Sequence, residues 1–180
     1  MNVDYTAISS WAAVIAALTA VYAIWAEGKR ARFSQGLDLL QKLSNEFNSD
    51  PFKEKRRAIA KILLKDKNQQ AITKKDTSTL KTTGTDILDH FQTVGILMRR
   101  GILDEELVYS EYFFWLEGYW ICLQKVYSAF SEVDITVWED AQWLYKLLKK
   151  FEKKLPPKGK VVEPTEEDLK YFLEYECRLM

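Results

Sequence analysis

The sequence predicts an all-α protein in which an N-terminal transmembrane helix continues into a cytoplasmic helical bundle. Residues 5–26 contain no charged side chain, and three basic residues follow within the next six positions. In the rest of the chain, apolar residues recur at intervals of three and four, which is the period of an amphipathic helix. We therefore divide the chain into a membrane anchor with a basic flank at 1–32 and a cytoplasmic all-α domain at 33–180.

The predicted span, residues 5–26, has the length and composition of a transmembrane helix. A bilayer core needs about 20 apolar residues in helical form, and 16 of the last 19 residues of the span are apolar. Trp11 and Trp25 lie near its two ends, where indole rings favour the headgroup layer. Because the positive flank of Lys29, Arg30 and Arg32 follows the span, the positive-inside rule predicts an N-terminus outside and a cytoplasmic domain.

Two other interpretations of this segment remain open. A cleaved signal peptide has basic residues before its apolar core and a small-x-small cleavage site after it. Here Asp4 precedes the core, and Ile24 and Trp25 disrupt the best cleavage site. A buried helix of a globular protein usually carries a polar stripe, which this segment lacks.

The alanine spacing of the span predicts self-association. Small residues recur every four positions in two rows, and these rows contain Ala12, Ala16 and Ala20 in one and Ala13 and Ala17 in the other. Small residues at this spacing let transmembrane helices approach closely. We expect a homo-oligomer packed through these alanines, with an alanine-rich monomeric span as the alternative.

Helical periodicity also sets the predicted elements of the domain. The anchor helix continues to about residue 48, and further helices are predicted at 51–65, 86–100, 104–130, 134–155 and 165–179. The aromatic helix at 104–130 is predicted to be the centre of the bundle. Residues 67–84 are polar and threonine-rich and are predicted to form a loop. Gly95 predicts a close contact with another helix, and Gly101 a left-handed helix cap.

No catalytic, cofactor-binding or metal site is predicted. The chain has one histidine, His90, and it contains no CxxC pair, phosphate-binding glycine loop, GxSxG or HExxH pattern. Asp86 and Asp89 lie near His90, but three neighbouring positions on a helix define no reaction. We therefore expect a protein without enzymatic activity or cofactor.

Charge is balanced in total, at 26 basic and 26 acidic residues, so nucleic acid is not an expected partner. It is nevertheless segregated, with nine basic and three acidic residues at 53–76 and five acidic and no basic residues at 104–124. Complementary faces of this kind can steer one subunit, or a partner, onto another; ordinary solvated helix faces are the alternative. Arg56, Arg57 and Lys61 are the candidate residues for binding a cytoplasmic protein partner.

Three stretches resemble a bacterial family known as domain of unknown function 4760. They are NEFNSDPFKEKRR at 45–57, ILDHFQTVGILMRRG at 87–101 and the aromatic helix that ends in Tyr119 and Trp120. The resemblance covers about 33–151 and implies a single N-terminal span followed by a helical cytoplasmic domain, without implying an activity.

The chain is also similar to the small membrane accessory proteins of RNA-targeting (type VI) CRISPR systems, which are divergent HEPN-like proteins that assemble into a ring-shaped pore. HEPN nucleases place a histidine closely after an arginine, whereas the nearest arginine before His90 is Arg57. The resemblance therefore implies a pore and not a nuclease. The sequence as a whole predicts a homo-oligomeric single-pass protein of the bacterial inner membrane that forms a pore or perturbs the membrane in antiviral defence. The alternative is a membrane-tethered interaction module with neither pore nor enzymatic activity.

Overall fold

The computed structural model describes residues 5–128, 134–155 and 163–178, with the side chains of all of these except 5–17 and 135. Within these ranges every regular element is helical and no strand is present, so the predicted all-α class is confirmed. The helices are α1 (Tyr5–Phe47), α2 (Asp50–Lys67), α3 (Lys74–Thr79), α4 (Thr85–Arg99), α5 (Glu105–Ser128), α6 (Glu139–Glu152) and α7 (Glu166–Arg178).

Helix α1 is a single helix of 43 residues, about 64 Å long at 1.5 Å per residue. Among the side chains described on this helix, those buried in the rest of the protein lie in its C-terminal part and include Leu40 and Phe47. Gly36 is the first buried residue among those described on α1, and a Cβ added there would lie 2.3 Å from the carbonyl oxygen of Ile102. At Gly36 the backbone of α1 therefore lies close to the backbone of the bundle. The turns of α1 that precede Gly36 extend beyond the bundle.

Helix α5 is the centre of the bundle, as its aromatic composition predicts. It packs against α4, α6 and α7. Its larger buried side chains cover about 140° of the helix circumference at 100° per residue, a broad apolar face made of Val108, Tyr112, Phe113, Leu116, Tyr119, Trp120, Leu123, Val126 and Tyr127. The remaining helices form two further pairs around it, α4 with α6 and α2 with α7.

Gly95 allows α4 and α6 to approach closely. A Cβ at this position would lie 2.4 Å from the backbone oxygen of Asp140, so the predicted close contact is confirmed. The amide of Gln92 joins the same two helices, because its oxygen accepts from the N–H of Ala141 at 3.0 Å and its nitrogen donates to Asp140 at 2.9 Å.

The predicted loop at 67–84 is wrong for its second half, which is helical. Thr73 and Asp76 form a reciprocal capping box that starts α3, and the following π-helical segment, Leu80–Gly84, leads directly into α4. Leu80 is fully buried, and the hydroxyl of Tyr127 donates to its carbonyl oxygen at 2.7 Å. Tertiary burial of one leucine and a distant tyrosine thus stabilise a helix that polar composition argues against.

Candidate functional site

The half of α1 that precedes the bundle exposes large apolar side chains to solvent. The exposed fractions are 66% for Leu18, 66% for Val21, 67% for Tyr22, 71% for Ile24 and 60% for Trp25. Single exposed apolar residues are ordinary, but a contiguous patch of this size marks a surface that contacts a membrane or another protein.

These side chains are distributed unevenly around the helix. At about 100° per residue, Leu18, Tyr22 and Trp25 lie on one side of α1. Ala20 lies on the opposite side, and Ile24 lies about 40° from it. The other predicted packing alanines, Ala12, Ala13, Ala16 and Ala17, have side chains outside the described residues, as does Trp11. In the part of the chain that the structure describes, no helix is both long and apolar enough to cross a membrane.

The predicted anchor residues at the end of the apolar stretch combine aromatic rings with cations. The rings of Tyr22 and Trp25 lie 6.0 Å apart, and the ammonium group of Lys29 lies 5.6 Å from the Trp25 centroid. Arg30 and Arg32 are exposed on the next turn. This order, apolar and then aromatic and then cationic, is the one that the boundary of a bilayer favours.

The prediction that Arg56 binds a partner is wrong, because its side chain is only 1% exposed. Its guanidinium forms two hydrogen bonds with the Glu176 carboxylate of α7, at 2.8 and 3.0 Å, and a third with the backbone oxygen of Phe47 at 3.1 Å. The ring of Phe47 lies 4.2 Å below it. Arg57 is half-buried and Lys61 is exposed, so their proposed role as partner-binding residues stays a prediction.

Glu176 is fully buried and accepts from two donors besides Arg56. The indole N–H of Trp115 donates to its Oε1 at 3.1 Å, and the hydroxyl of Tyr119 donates to its Oε2. Burial, and after it the charge of Glu176, raises the pKa of Tyr119 well above its ordinary value, so the hydroxyl keeps the proton that it donates. These groups join α2, α5 and α7 to the end of α1 in one network.

The positions of Arg56 and Glu176 within their helices could have predicted this network, although charged residues are usually expected at the surface. Arg56 lies among Phe52, Ile59 and Leu63 at helical spacing, so it falls on the apolar face of α2. Glu176 likewise continues the apolar face of α7 after Phe172. A charged residue on each of two apolar faces indicates a buried ion pair, because an unpaired charge there is costly.

His90 is buried among aromatic rings and is 6% exposed. The centroids of Phe47, Phe52 and Tyr112 lie 4.9, 5.4 and 5.5 Å from its own. Desolvation, and after it the charge of Arg56, lowers the pKa of His90 to about 4. The imidazole is therefore neutral at physiological pH, and its buried Nε2 has no hydrogen-bond partner among the described residues.

His90 also contributes to the wall of a surface cleft of about 280 Å³. The cleft is lined by Leu43, Glu46, Phe52, Lys55, Asp86, Asp89, His90 and Thr93. Its charged groups are largely engaged, since Lys55 pairs with Asp86 at 2.7 Å and Asp89 accepts from the indole N–H of Trp138 at 2.8 Å. Asp86 and Asp89 thus hold neighbouring helices in place in this structure. Within the described ranges, no three His, Cys, Asp or Glu side chains are grouped as a metal-binding set.

The fold and the exposed helix define an all-α domain built on one long N-terminal helix. The model of the domain of unknown function family DUF4760 matches residues 10–148, and the chain belongs to that family. No curated protein and no solved structure matches the chain. The matched region begins inside the uncharged run and ends before α7, so this family pattern includes much of the apolar part of α1 and excludes the helix that supplies Glu176.

Proposed function

We propose that this protein is a single-pass membrane protein whose α1 anchors the helical domain and packs against α1 of other copies. The observation that carries the proposal is the exposure of every large apolar side chain described from Leu18 to Trp25. Exposing these groups to water is unfavourable by about 25 cal/mol per Å² of apolar surface, and a bilayer removes that cost.

The order of residues along α1 supports an orientation. The aromatic pair and the basic flank lie between the apolar stretch and the domain, and positive residues favour the cytoplasmic side of a bacterial inner membrane. The N-terminus would then face outward and the domain would face the cytoplasm.

Self-association is supported by the alanines of α1. Ala20 and Ala23 lie on the side opposite Leu18 and Tyr22, with Ile24 at the edge of that side. A second helix can approach closely along the alanines. A ring of such spans would alter membrane permeability, which is the function we propose in antiviral defence.

The anchor is tested by placing charge in it. Lysine near the centre of a span costs about 3 kcal/mol of insertion free energy, so Leu18→Lys combined with Val21→Lys should move the protein from the carbonate-resistant membrane fraction to the soluble fraction. Leu37→Lys is the matched control, because Leu37 is an exposed apolar residue of the same helix beyond the span. Wild-type protein that carbonate extracts from membranes would contradict the proposal.

A membrane-tethered interaction module is the second candidate, and an exposed aromatic patch on the domain favours it. Phe114 of α5 is 49% exposed, Tyr171 and Tyr175 of α7 are 68% and 41% exposed, and the rings of Phe114 and Tyr175 lie 6.0 Å apart. Particle size in detergent discriminates between the two functions, because a monomer would favour the module and a ring would favour the pore.

A further inference from the structure

A second cleft, of about 270 Å³, opens between α1 and the turn that joins α4 to α5. It is lined by Lys29, Arg32 and Phe33 on one side and by Gly101, Ile102, Leu103 and Asp104 on the other. The two walls come close together at Gly36, where an added Cβ would lie 2.3 Å from the carbonyl oxygen of Ile102. The left-handed backbone of Gly101, with φ of 66°, turns the chain at this point. The cleft is therefore set by backbone packing.

The position of this cleft along α1 relates it to a bilayer, and this step rests on the proposed function. If Trp25 marks the edge of the hydrocarbon core, Lys29 lies about 6 Å and Arg32 about 10 Å further along the helix. The headgroup layer is about 5–7 Å thick on each side. The mouth of the cleft therefore borders the headgroups, and both long cationic side chains can reach them.

The charge of the cleft lining is positive. The residues that line it include two cations, Lys29 and Arg32, and one carboxylate, Asp104. The neighbouring cations in the chain are Arg30 and Arg100, and the neighbouring carboxylates are Glu27, Glu105 and Glu106. Among the described residues, neither Arg30, Arg32 nor Arg100 forms an ion pair. Unneutralised cations at this depth favour an anionic phospholipid headgroup.

Asp104 gives the cleft a hydrogen-bond acceptor in addition to its cations. Its Oδ1 caps α5 by accepting from the N–H groups of Glu106 and Leu107 at 3.0 and 3.2 Å. Its Oδ2 accepts from no donor in the part of the chain that the structure describes. An ionised carboxylate oxygen is only an acceptor, so this atom suits a hydroxyl group of the headgroup and repels a second phosphate charge.

We propose that this cleft binds the phosphoglycerol headgroup of an anionic membrane lipid. Lys29 and Arg32 bind the phosphate, Asp104 accepts from a glycerol hydroxyl, and the exposed ring of Phe33 contacts the apolar part of the lipid next to the headgroup. The bound lipid fixes the domain against the bilayer, in addition to the tether of α1.

The test uses the full chain extracted from vesicles that contain equal amounts of phosphatidylcholine, phosphatidylglycerol and phosphatidic acid. Native mass spectrometry then measures which lipids remain bound. We expect phosphatidylglycerol to be enriched, and Lys29→Gln with Arg32→Gln to reduce the enrichment by about fivefold per charge removed. Lys42→Gln is the control, because Lys42 is an exposed lysine of the same helix about 20 Å beyond Lys29.

Asp104→Asn tests the hydroxyl recognition separately, since asparagine caps a helix as well as aspartate does. It should lower the ratio of phosphatidylglycerol to phosphatidic acid while anionic lipids stay enriched. An unchanged ratio, or unchanged enrichment in the double variant, would overturn this inference. A wild-type chain that carbonate extracts from membranes would instead overturn the proposed function, so the two failures are distinguishable.

Discussion

At the scale of single residues, the stability of this protein depends on charge taken out of water. Arg56 and Glu176 lie 120 positions apart and are both almost fully buried. Desolvation of two ions is costly, and it is offset here because each side chain has good hydrogen-bond geometry. The carbonyl of Phe47, the indole of Trp115 and the hydroxyl of Tyr119 supply the additional partners.

Replacement of either ion should therefore lower the free energy of unfolding strongly. Glu176→Gln leaves the guanidinium of Arg56 buried without a counter-charge, and we expect a loss of about 3–5 kcal/mol in the free energy of unfolding. Chemical denaturation in detergent measures it. Arg178→Gln is the control, because Arg178 is exposed and its pair with Glu174 is 3.7 Å long; it should change stability by less than about 0.5 kcal/mol. Equal effects of the two substitutions would refute the role of the buried pair.

His90 should make stability depend on pH below neutrality. Its folded pKa of about 4 lies below the ordinary value of about 6.5, so the unfolded chain binds the proton more readily. The stabilisation is complete above pH 6.5 and is lost as the pH falls towards 4, with a total of roughly 3 kcal/mol.

The imidazole resonances of this one histidine, followed by NMR in untagged protein, measure the pKa directly. Denaturation of His90→Phe provides the comparison, since that variant should lose the part of the pH dependence between 6.5 and 4 that His90 supplies. A measured pKa near 6.5 would show that the ring is hydrated in solution.

At the scale of the element, α1 is both an exposed helix and a part of the bundle, and Gly36 is where it changes from one to the other. We expect Gly36→Ala to destabilise the protein by about 1–3 kcal/mol, because the new Cβ overpacks against the Ile102 carbonyl. Gly28→Ala adds the same methyl group to the same helix with nothing within 4 Å, and it should leave the melting temperature unchanged or raise it slightly. A similar decrease in both variants would place the effect in the helix itself and not in its contact.

At the scale of the whole molecule, the bundle continues beyond the region that the family pattern covers. That region ends at residue 148, whereas α7 closes the core with Leu169, Phe172 and Leu173 and neutralises Arg56. A chain ending at residue 148 would leave Arg56 without its counter-charge and would expose the apolar groove that α7 covers, so α7 is part of the folding unit.

Assembly is tested at the same scale by enlarging the small face of α1. Ala16→Ile should reduce the oligomer size measured in detergent, because the branched side chain prevents close approach of neighbouring helices. Dye release from vesicles reconstituted with the protein should decrease in parallel. Val21→Ile is the control, since it enlarges a position that is already bulky. An oligomer of unchanged size in the Ala16 variant would exclude the alanine face as the packing surface.

Periodicity and composition alone determined the helical class, the central place of α5 and the close contact at Gly95. Each depends on a property local to one helix: the spacing of apolar residues, the density of aromatic rings or a missing side chain. The uncharged run and its basic flank are equally local, and for this reason the proposal of a membrane anchor follows from the sequence and is supported by the exposure of Leu18 to Trp25.

Only the tertiary structure decided the pairing of Arg56 with Glu176, the helix at 74–84 and the cleft beside Gly36. In each, the groups that meet are far apart in the chain: an arginine and a glutamate, Leu80 and the hydroxyl of Tyr127, α1 and the turn after α4. Residue type alone assigns an arginine to the surface, and polar composition assigns a threonine-rich stretch to a loop. Burial against a distant partner reverses both assignments, because the free energy of a charge or a polar backbone depends on what surrounds it after folding.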